Sequence, residues 1–240
     1  MVKLSVSEVK TIRSLSQKKY RDALGLFVVE GEKLLEEALD AGFCPEKIYR
    51  REEISEEQMR RISSQDSPSP VLAVLRKAEQ KDFVLSDSGL FLGLDSISDP
   101  GNLGTILRIC DWFGIDGVFA SANTVDQYNP KVVQASMGAI FRHTLYYCNL
   151  EELCMKFRSK GLPVYGTQLD GKNIYKSSLG ACGLILMGNE SRGLDPKLRE
   201  LCTEHLLIPS FAGGAHAESL NVAIATALTI AEFKRQNNIL

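Results

Sequence analysis

Asp99-Pro100-Gly101-Asn102-Leu103-Gly104-Thr105-Ile106-Leu107-Arg108 joins an apolar run at residues 90–97 to a segment of helical periodicity that reaches Phe113 and stops at Gly114. The run before it reads as a buried strand. The run after it reads as a helix with Leu103, Ile106, Leu107, Ile109, Cys110 and Phe113 on its apolar side. Small and polar residues at such a junction are where an α/β protein exposes backbone donors and side chains to a ligand. Two more junctions have the same character: Gly188-Asn189-Glu190-Ser191-Arg192-Gly193 after the strand-like 184–187, and Ile208-Pro209 followed by Glu218-Ser219-Leu220-Asn221-Val222-Ala223. Three junctions of one kind point to one composite site.

Outward from these junctions the alternation continues. Residues 117–120 read as a strand, Asn129-Pro130 opens a helix through about Ala139, and 144–147 is strand-like. A helix over 150–160, strands at 163–167 and 206–209, and a long apolar helix over 219–234 complete the second half. This order implies a largely parallel sheet covered on both faces. The first half reads as a polar helix at 6–19, a strand at 27–31, a helix at 32–41 stopped by Gly42 and a strand beginning at Ile48 and Tyr49. A helix at 54–62, a loop at 63–70 and a strand at 71–75 follow. The polar stretch 76–89 divides the chain near residue 86, into a small α/β domain at 1–86 and a larger α/β domain at 87–240.

Composition narrows the class. The chain has 240 residues, 44% hydrophobic and 24% charged, with a formal net charge of −2. That is an ordinary globular balance with no bilayer-length apolar stretch. The first residues carry no signal-peptide pattern, so a cytoplasmic protein is expected. Six cysteines are scattered without a CxxC pair, which excludes a zinc site or disulfide framework and leaves most as core residues. Lys3, Lys10, Arg13, Lys18, Lys19 and Arg21 stand against Glu8 alone in the first 21 residues. A solvated helix face accounts for these charges; an RNA-facing surface is the functional reading.

Each junction has a bland reading beside a chemical one. Asn102 is placed to cap the helix it opens, while Gly101 and Gly104 admit close approach by a chain segment or a ligand. Arg108 falls outside the apolar set and must point to solvent, a carboxylate or a phosphate; a structural ion pair explains it as well as a functional role does. Glu190 serves either as a cap for a helix near Leu194 or as a partner of Arg108 or Arg192. Ser219 reads as the N-cap of the last helix with Asn221 in its first turn, leaving N–H groups for an anion. Neither a G-x-G-x-x-G fingerprint nor a P-loop is present, and the three histidines support no Ser-His-Asp order.

Taken together and in order, the junctions resemble the three signature motifs of the SpoU (TrmH) family of RNA ribose 2′-O-methyltransferases, within the SPOUT superfamily. Pro130-Lys131-Val132-Val133 with Ala135-Ser136-Met137-Gly138-Ala139 is a further matching element, and the resemblance covers roughly residues 90–236. The first half is similar, through Lys18-Lys19-Tyr20-Arg21 and Phe27-Val28-Val29-Glu30-Gly31, to the small substrate-binding domain related to kink-turn-binding ribosomal proteins. The resemblance implies a parallel-sheet domain closed by a deep trefoil knot, an exception to the rule against knots. It also implies bound S-adenosylmethionine, a homodimer with its active site near the subunit interface, and a structured RNA substrate. Ribosomal RNA is favoured over transfer RNA because the first domain resembles an RNA-stem reader.

By motif, the resemblance assigns cofactor contacts to Gly188, Ile208, Leu220 and Thr167, and catalysis to Asn102, Arg108, Glu190, Ser219 and Asn221. In family proposals the arginine at the position of Arg108 takes the ribose proton. The other reading keeps the guanidinium charged, gripping a phosphate and stabilising the developing alkoxide. A binding-only RNA or ribosome-assembly protein and an α/β enzyme for another nucleotide ligand are the competing classes. Residues 210–218, which include Gly213-Gly214-Ala215-His216, form a longer loop than the family's usual spacing.

Overall fold

The computed structural model describes residues 3–79, 83, 85–212 and 217–237. Its first unit runs α1 (Val6–Ser14), α2 (Lys18–Leu24), β1 (Leu26–Glu30), α3 (Glu32–Asp40), β2 (Pro45–Arg50), α4 (Arg51–Ile54), α5 (Glu56–Ile62) and β3 (Val71–Arg76). The three strands form an antiparallel sheet in the order β1-β3-β2. The helix expected over 6–19 is two helices, because Gln17 is extended and the Arg21 guanidinium donates to the carbonyls of Leu15 and Ser16 where α1 ends. Likewise 54–62 breaks at Ser55, whose φ of 78° ends α4 and whose hydroxyl caps α5.

The second unit runs β4 (Leu90–Leu94), α6 (Pro100–Phe113), β5 (Gly117–Ala120), α7 (Pro130–Ser136), α8 (Ala139–Arg142), β6 (Leu145–Tyr147), α9 (Leu150–Ser159) and β7 (Val164–Asn173). It closes with β8 (Gly183–Met187), α10 (Pro196–Leu201), β9 (Glu204–Leu207) and α11 (Val222–Asn237). Six strands lie in the order β6-β5-β4-β8-β7-β9 with every pairing parallel, as the alternating pattern implied. The order turns back between β4 and β8, and ligands bind outside the carboxyl ends of strands at such a point. The helix expected from Asn129 to Ala139 is interrupted by left-handed Met137 and Gly138.

Helix α6 shows how local sequence places the site. Asp99 caps it, Pro100 supplies the preset φ of its first turn, and left-handed Gly114 ends it. Leu103, Ile106, Leu107 and Cys110 are buried. Gly104 admits the close approach anticipated for it, and the approaching segment is α7: a Cβ there would lie 2.8 Å from the Val132 carbonyl and 2.6 Å from the Ala135 Cβ.

The two units share one buried cluster. Phe27 of β1 lies 4.6 Å, centroid to centroid, from Tyr128, and Phe43 lies 5.1 Å from Phe141. Arg21 and Asp126 form a buried ion pair across the same seam at 2.6 Å, and Arg142 bridges Glu37 and Asp111. Among the six cysteines Cys110, Cys154 and Cys202 are buried, Cys148 and Cys182 are half-buried and Cys44 is exposed; all are free. Among the described residues no helix is long and apolar enough to cross a membrane.

Candidate active site

Because Asp99 rather than Asn102 caps α6, accepting the Asn102 N–H at 2.8 Å, the Asn102 amide is released for other work. Its Nδ2 donates to Glu190 Oε1 at 3.1 Å and its Oδ1 accepts from Asn221 Nδ2 at 2.8 Å. Glu190 also accepts from the Ser98 N–H and hydroxyl, the Asp99 N–H and the Asn189 amide. It therefore neither caps α10, whose cap is Asp195, nor pairs with an arginine. Burial pushes the Glu190 carboxyl up, but the hydrogen bonds from Asn102 and from the Asp99 and Ser98 backbone outweigh it and hold the pKa below the ordinary value. The group is a charged acceptor that organises the junction.

The loop carrying Glu190 is fixed from both sides. Asn189 donates to the Ser96 carbonyl at 2.7 Å and accepts from the Ser191 and Arg192 N–H groups, while buried Asp95 accepts from the Asp195 N–H at 2.8 Å. At the third junction the cap is Asn221, not Ser219: its Oδ1 accepts from the Ala223 and Ile224 N–H groups, and α11 starts at Val222. Asn221 thus joins two helix N-termini through one side chain. Ser219 lies exposed in the preceding loop. Residues 213–216, on which the expected loop lengthening falls, lie outside the described residues.

A cavity of about 570 Å³ opens beside this network, at the middle of β7 and the carboxyl ends of β8 and β9. Thr167, Gly188, Ile208 and Leu220, the four residues expected to touch the cofactor, all line it, as do Glu190 and Ser219. Met187, Leu206, Val222 and Ala225 give it an apolar wall, and Gln168 contributes a side-chain oxygen buried without a hydrogen-bond partner. An apolar wall for a purine, strand-end backbone for polar atoms and an unsatisfied acceptor fit S-adenosylmethionine. The Thr167 hydroxyl is already committed to the Leu186 carbonyl at 2.9 Å. A Cβ on Gly188 would strike the Gly193 backbone at 2.2 Å, so the tight Asn189–Gly193 bridge requires glycine there.

Arg108 stands apart from this group. It is exposed and, among the described residues, makes no ion pair or hydrogen bond. Thr105, Arg108 and Trp112 follow one another along one side of α6, with Trp112 85% exposed. Helix α11 runs alongside α6 in the same direction, tied by Asn221 to Asn102 at one end and by Lys234 to the Gly114 carbonyl at the other. Its Ile224 and Leu228 are exposed as well.

Residues 89–231 match the model of the SpoU rRNA Methylase family. The chain belongs to this family. Residues 7–73 match a second model, the MRM3-like substrate binding domain. SpoU membership is carried further by a relative from Bacillus subtilis, the 23S rRNA (guanosine(2553)-2′-O)-methyltransferase RlmP. It is 30% identical over 239 residues, with 93% of this chain and 94% of the relative covered. The AdoMet-bound rRNA methyltransferase structure from Sinorhizobium meliloti superimposes with a TM-score of 0.87 at 30% identity, over 100% of this chain and 98% of that one. A TrmH-family structure from Porphyromonas gingivalis is 38% identical with a TM-score of 0.85, covering 97% and 99%. The SpoU chain described here is an S-adenosylmethionine-dependent RNA 2′-O-methyltransferase.

Asp95, Asp99 and Asn189 were given no site role from the sequence, yet they hold the SpoU junctions in place. A signal for Asp99 was present, since an aspartate directly before a proline at a helix start is itself the capping pattern. Nothing in the sequence indicated Asp95 or Gln168, whose partners and surroundings come from distant segments.

Proposed function

We propose that this SpoU chain methylates a ribose 2′-hydroxyl in structured ribosomal RNA. The observation that carries the reading is the Glu190–Asn102–Asn221 network beside the cavity at the middle of β7 and the ends of β8 and β9. S-adenosylmethionine supplies the methyl group. Gly188, Ile208, Leu220 and Thr167 hold it, largely through backbone and apolar contacts. Asn102 and Asn221 orient the ribose, Ser219 completes the rim, and Glu190 locks the three junctions in register. Holding hydroxyl and methyl in line supplies a large part of the rate.

Arg108 grips the phosphate flanking the target and stabilises the developing alkoxide, the ribose proton passing to solvent water as the methyl group is transferred. A guanidinium keeps its proton in proteins, so its service is electrostatic. The open side of α6 and α11, with Trp112, Ile224 and Leu228 exposed beside Arg108, supports a homodimer that buries this face and brings Arg108 to the shared site. The first unit, ending near residue 86, reads the RNA, and the knot of the SPOUT fold encloses the cofactor.

Ribose-methylation mapping of total RNA from cells with and without the active protein tests the reading. Loss of one 2′-O-methyl group in ribosomal RNA is the expected result and names the nucleotide. Loss confined to transfer RNA overturns the substrate. An unchanged map together with no heat of S-adenosylmethionine binding overturns the activity.

A further inference from the structure

The motif Pro130-Lys131-Val132-Val133 has one face explained by packing on Gly104 and another that is not. Its unexplained face borders a second pocket, of about 420 Å³, between the two units. Val28, Ser64 and Gln65 come from the first unit; Pro100, Val133 and Gln134 come from the second. We propose that this pocket takes an unpaired nucleobase of the RNA substrate, on the same strand as the ribose that is methylated. The proposal rests on the reading of the protein as an RNA 2′-O-methyltransferase and names where it reads sequence.

Three observations converge. The first is chemical. Pro100, Pro130, Val28 and Val133 give apolar surfaces for a ring, and the amides of Gln65 and Gln134 meet across the seam, Nε2 to Oε1, at 3.1 Å. A side-chain amide offers both donors and an acceptor, the pattern a base edge presents. Among the described residues the Gln134 Nε2 and the Lys131 ammonium have no partner, so hydrogen-bonding capacity at the pocket is unspent.

The second is positional. Pro100 and Asn102 share the first turn of α6, their Cα atoms about 5 Å apart by helix geometry though on opposite sides of the helix, so an RNA strand that crosses this helix start reaches both the pocket and the Asn102 side. The third is the way Gln65 is presented. Buried Glu30 accepts from the Ser63 and Ser64 hydroxyls and, at 2.9 Å, from the Ser64 N–H, and thereby fixes the turn that carries Gln65. A buried carboxylate spent on holding an outward-facing amide is support of the kind a recognition site needs. Bases stacked in a duplex do not enter such a cleft, and sequence-specific RNA recognition targets unstacked ones.

The test uses the full-length protein and ribosomal RNA from cells lacking it. After short-wavelength irradiation of the complex, nucleotide adducts are expected on peptides containing residues 64–65 and 130–134. In steady state, Gln65→Ala with Gln134→Ala is expected to raise the KM for RNA about 10-fold, as for two lost hydrogen bonds, with kcat and the affinity for S-adenosylmethionine unchanged. Gln134→Trp, which fills the pocket from a solvent-exposed position, should weaken RNA use further while leaving the melting temperature in place. Wild-type transfer with adducts only elsewhere, or an unchanged KM in the double variant, overturns the proposal. Adducts in the pocket without methyl transfer would support it while overturning the activity; neither adducts nor transfer would overturn both.

Discussion

Two arginines define two regions of opposite character. Arg21 is buried at the seam between the units and donates to Asp126 and to two carbonyls that end α1, so that each of its three side-chain nitrogens is engaged. Arg108 stands on an open helix face with no partner among the described residues, a few residues from an exposed tryptophan. The seam is braced within one chain: Arg142 is held by Glu37 and Asp111, and Tyr128 and Phe43 pack against Phe27 and Phe141. The methyl-transfer edge is internally braced by Glu190 yet unfinished on its outer side. A fold that spends its charges inside the seam fixes how the first unit faces the sheet, and it leaves Arg108 unspent on the outer face.

Arg21→Ala is expected to have the largest effect. It strands the Asp126 carboxylate in a buried site and frees the carbonyls of Leu15 and Ser16, a loss of about 4 kcal/mol. Denaturant unfolding of the purified variant measures it, and a cost near that of a surface substitution would mean that the seam is not the rigid region of the pair. Arg108→Ala reverses the pattern: stability stays within about 0.5 kcal/mol of wild type, while turnover falls roughly 10²- to 10³-fold with cofactor affinity retained. Mixing Arg108→Ala with Glu190→Gln sharpens the contrast, since recovery of transfer in the mixture would show that two copies associate and that Arg108 serves the other copy's site. Near-normal turnover by Arg108→Ala removes the arginine from the site.

A smaller effect is expected where the two regions meet through α6 and α7. Gly104→Ala puts a methyl group against the Val132 carbonyl and the Ser136 N–H, both under 3.0 Å, and backbone there cannot yield as a flexible side chain would. The cost should be about 2 kcal/mol by denaturant unfolding. No measurable cost would mean that α7 shifts freely, and the placing of Pro130 and Gln134 would lose its basis.

The distribution of what the sequence disclosed follows the same division. The strand at 117–120 and the parallel order were legible because apolar runs alternate with capped helices, and those signals are local. Asn102, Glu190 and Asn221 were legible as site candidates through their motif, but the cap assignments were displaced: Asp99 and Asn221 hold the roles read for Asn102 and Ser219. A cap is decided by where the first helical turn closes, here at Asp99 and Asn221 through bonds to N–H groups two or three residues on, while the partners of the Asn102 amide so released come from Glu190 and Asn221, far along the sequence. The seam was not legible at all. Arg21 read as one basic residue among six near the start, since nothing local announces a partner at Asp126.

The smallest effect expected concerns the charge at the centre of the edge. Glu190 gathers hydrogen bonds from Ser98, Asp99, Asn102 and Asn189, and its pKa in the folded protein lies below that of the unfolded chain. A depressed carboxyl contributes stability that is present above the unfolded value, about 4.3, and is lost as pH falls through the folded value. Glu190→Gln removes that contribution and turns a donor toward groups that need an acceptor. The melting temperature of wild type should therefore exceed that of Glu190→Gln by a constant margin from neutrality down to about pH 5, and the margin should close below it. A margin that persists undiminished at pH 3 would show shape rather than charge holding the junctions together. Since Glu190 stays ionised throughout the neutral range, it titrates too low to shape the pH profile of transfer there, and in the proposed reaction it holds Asn102 in place rather than taking the ribose proton.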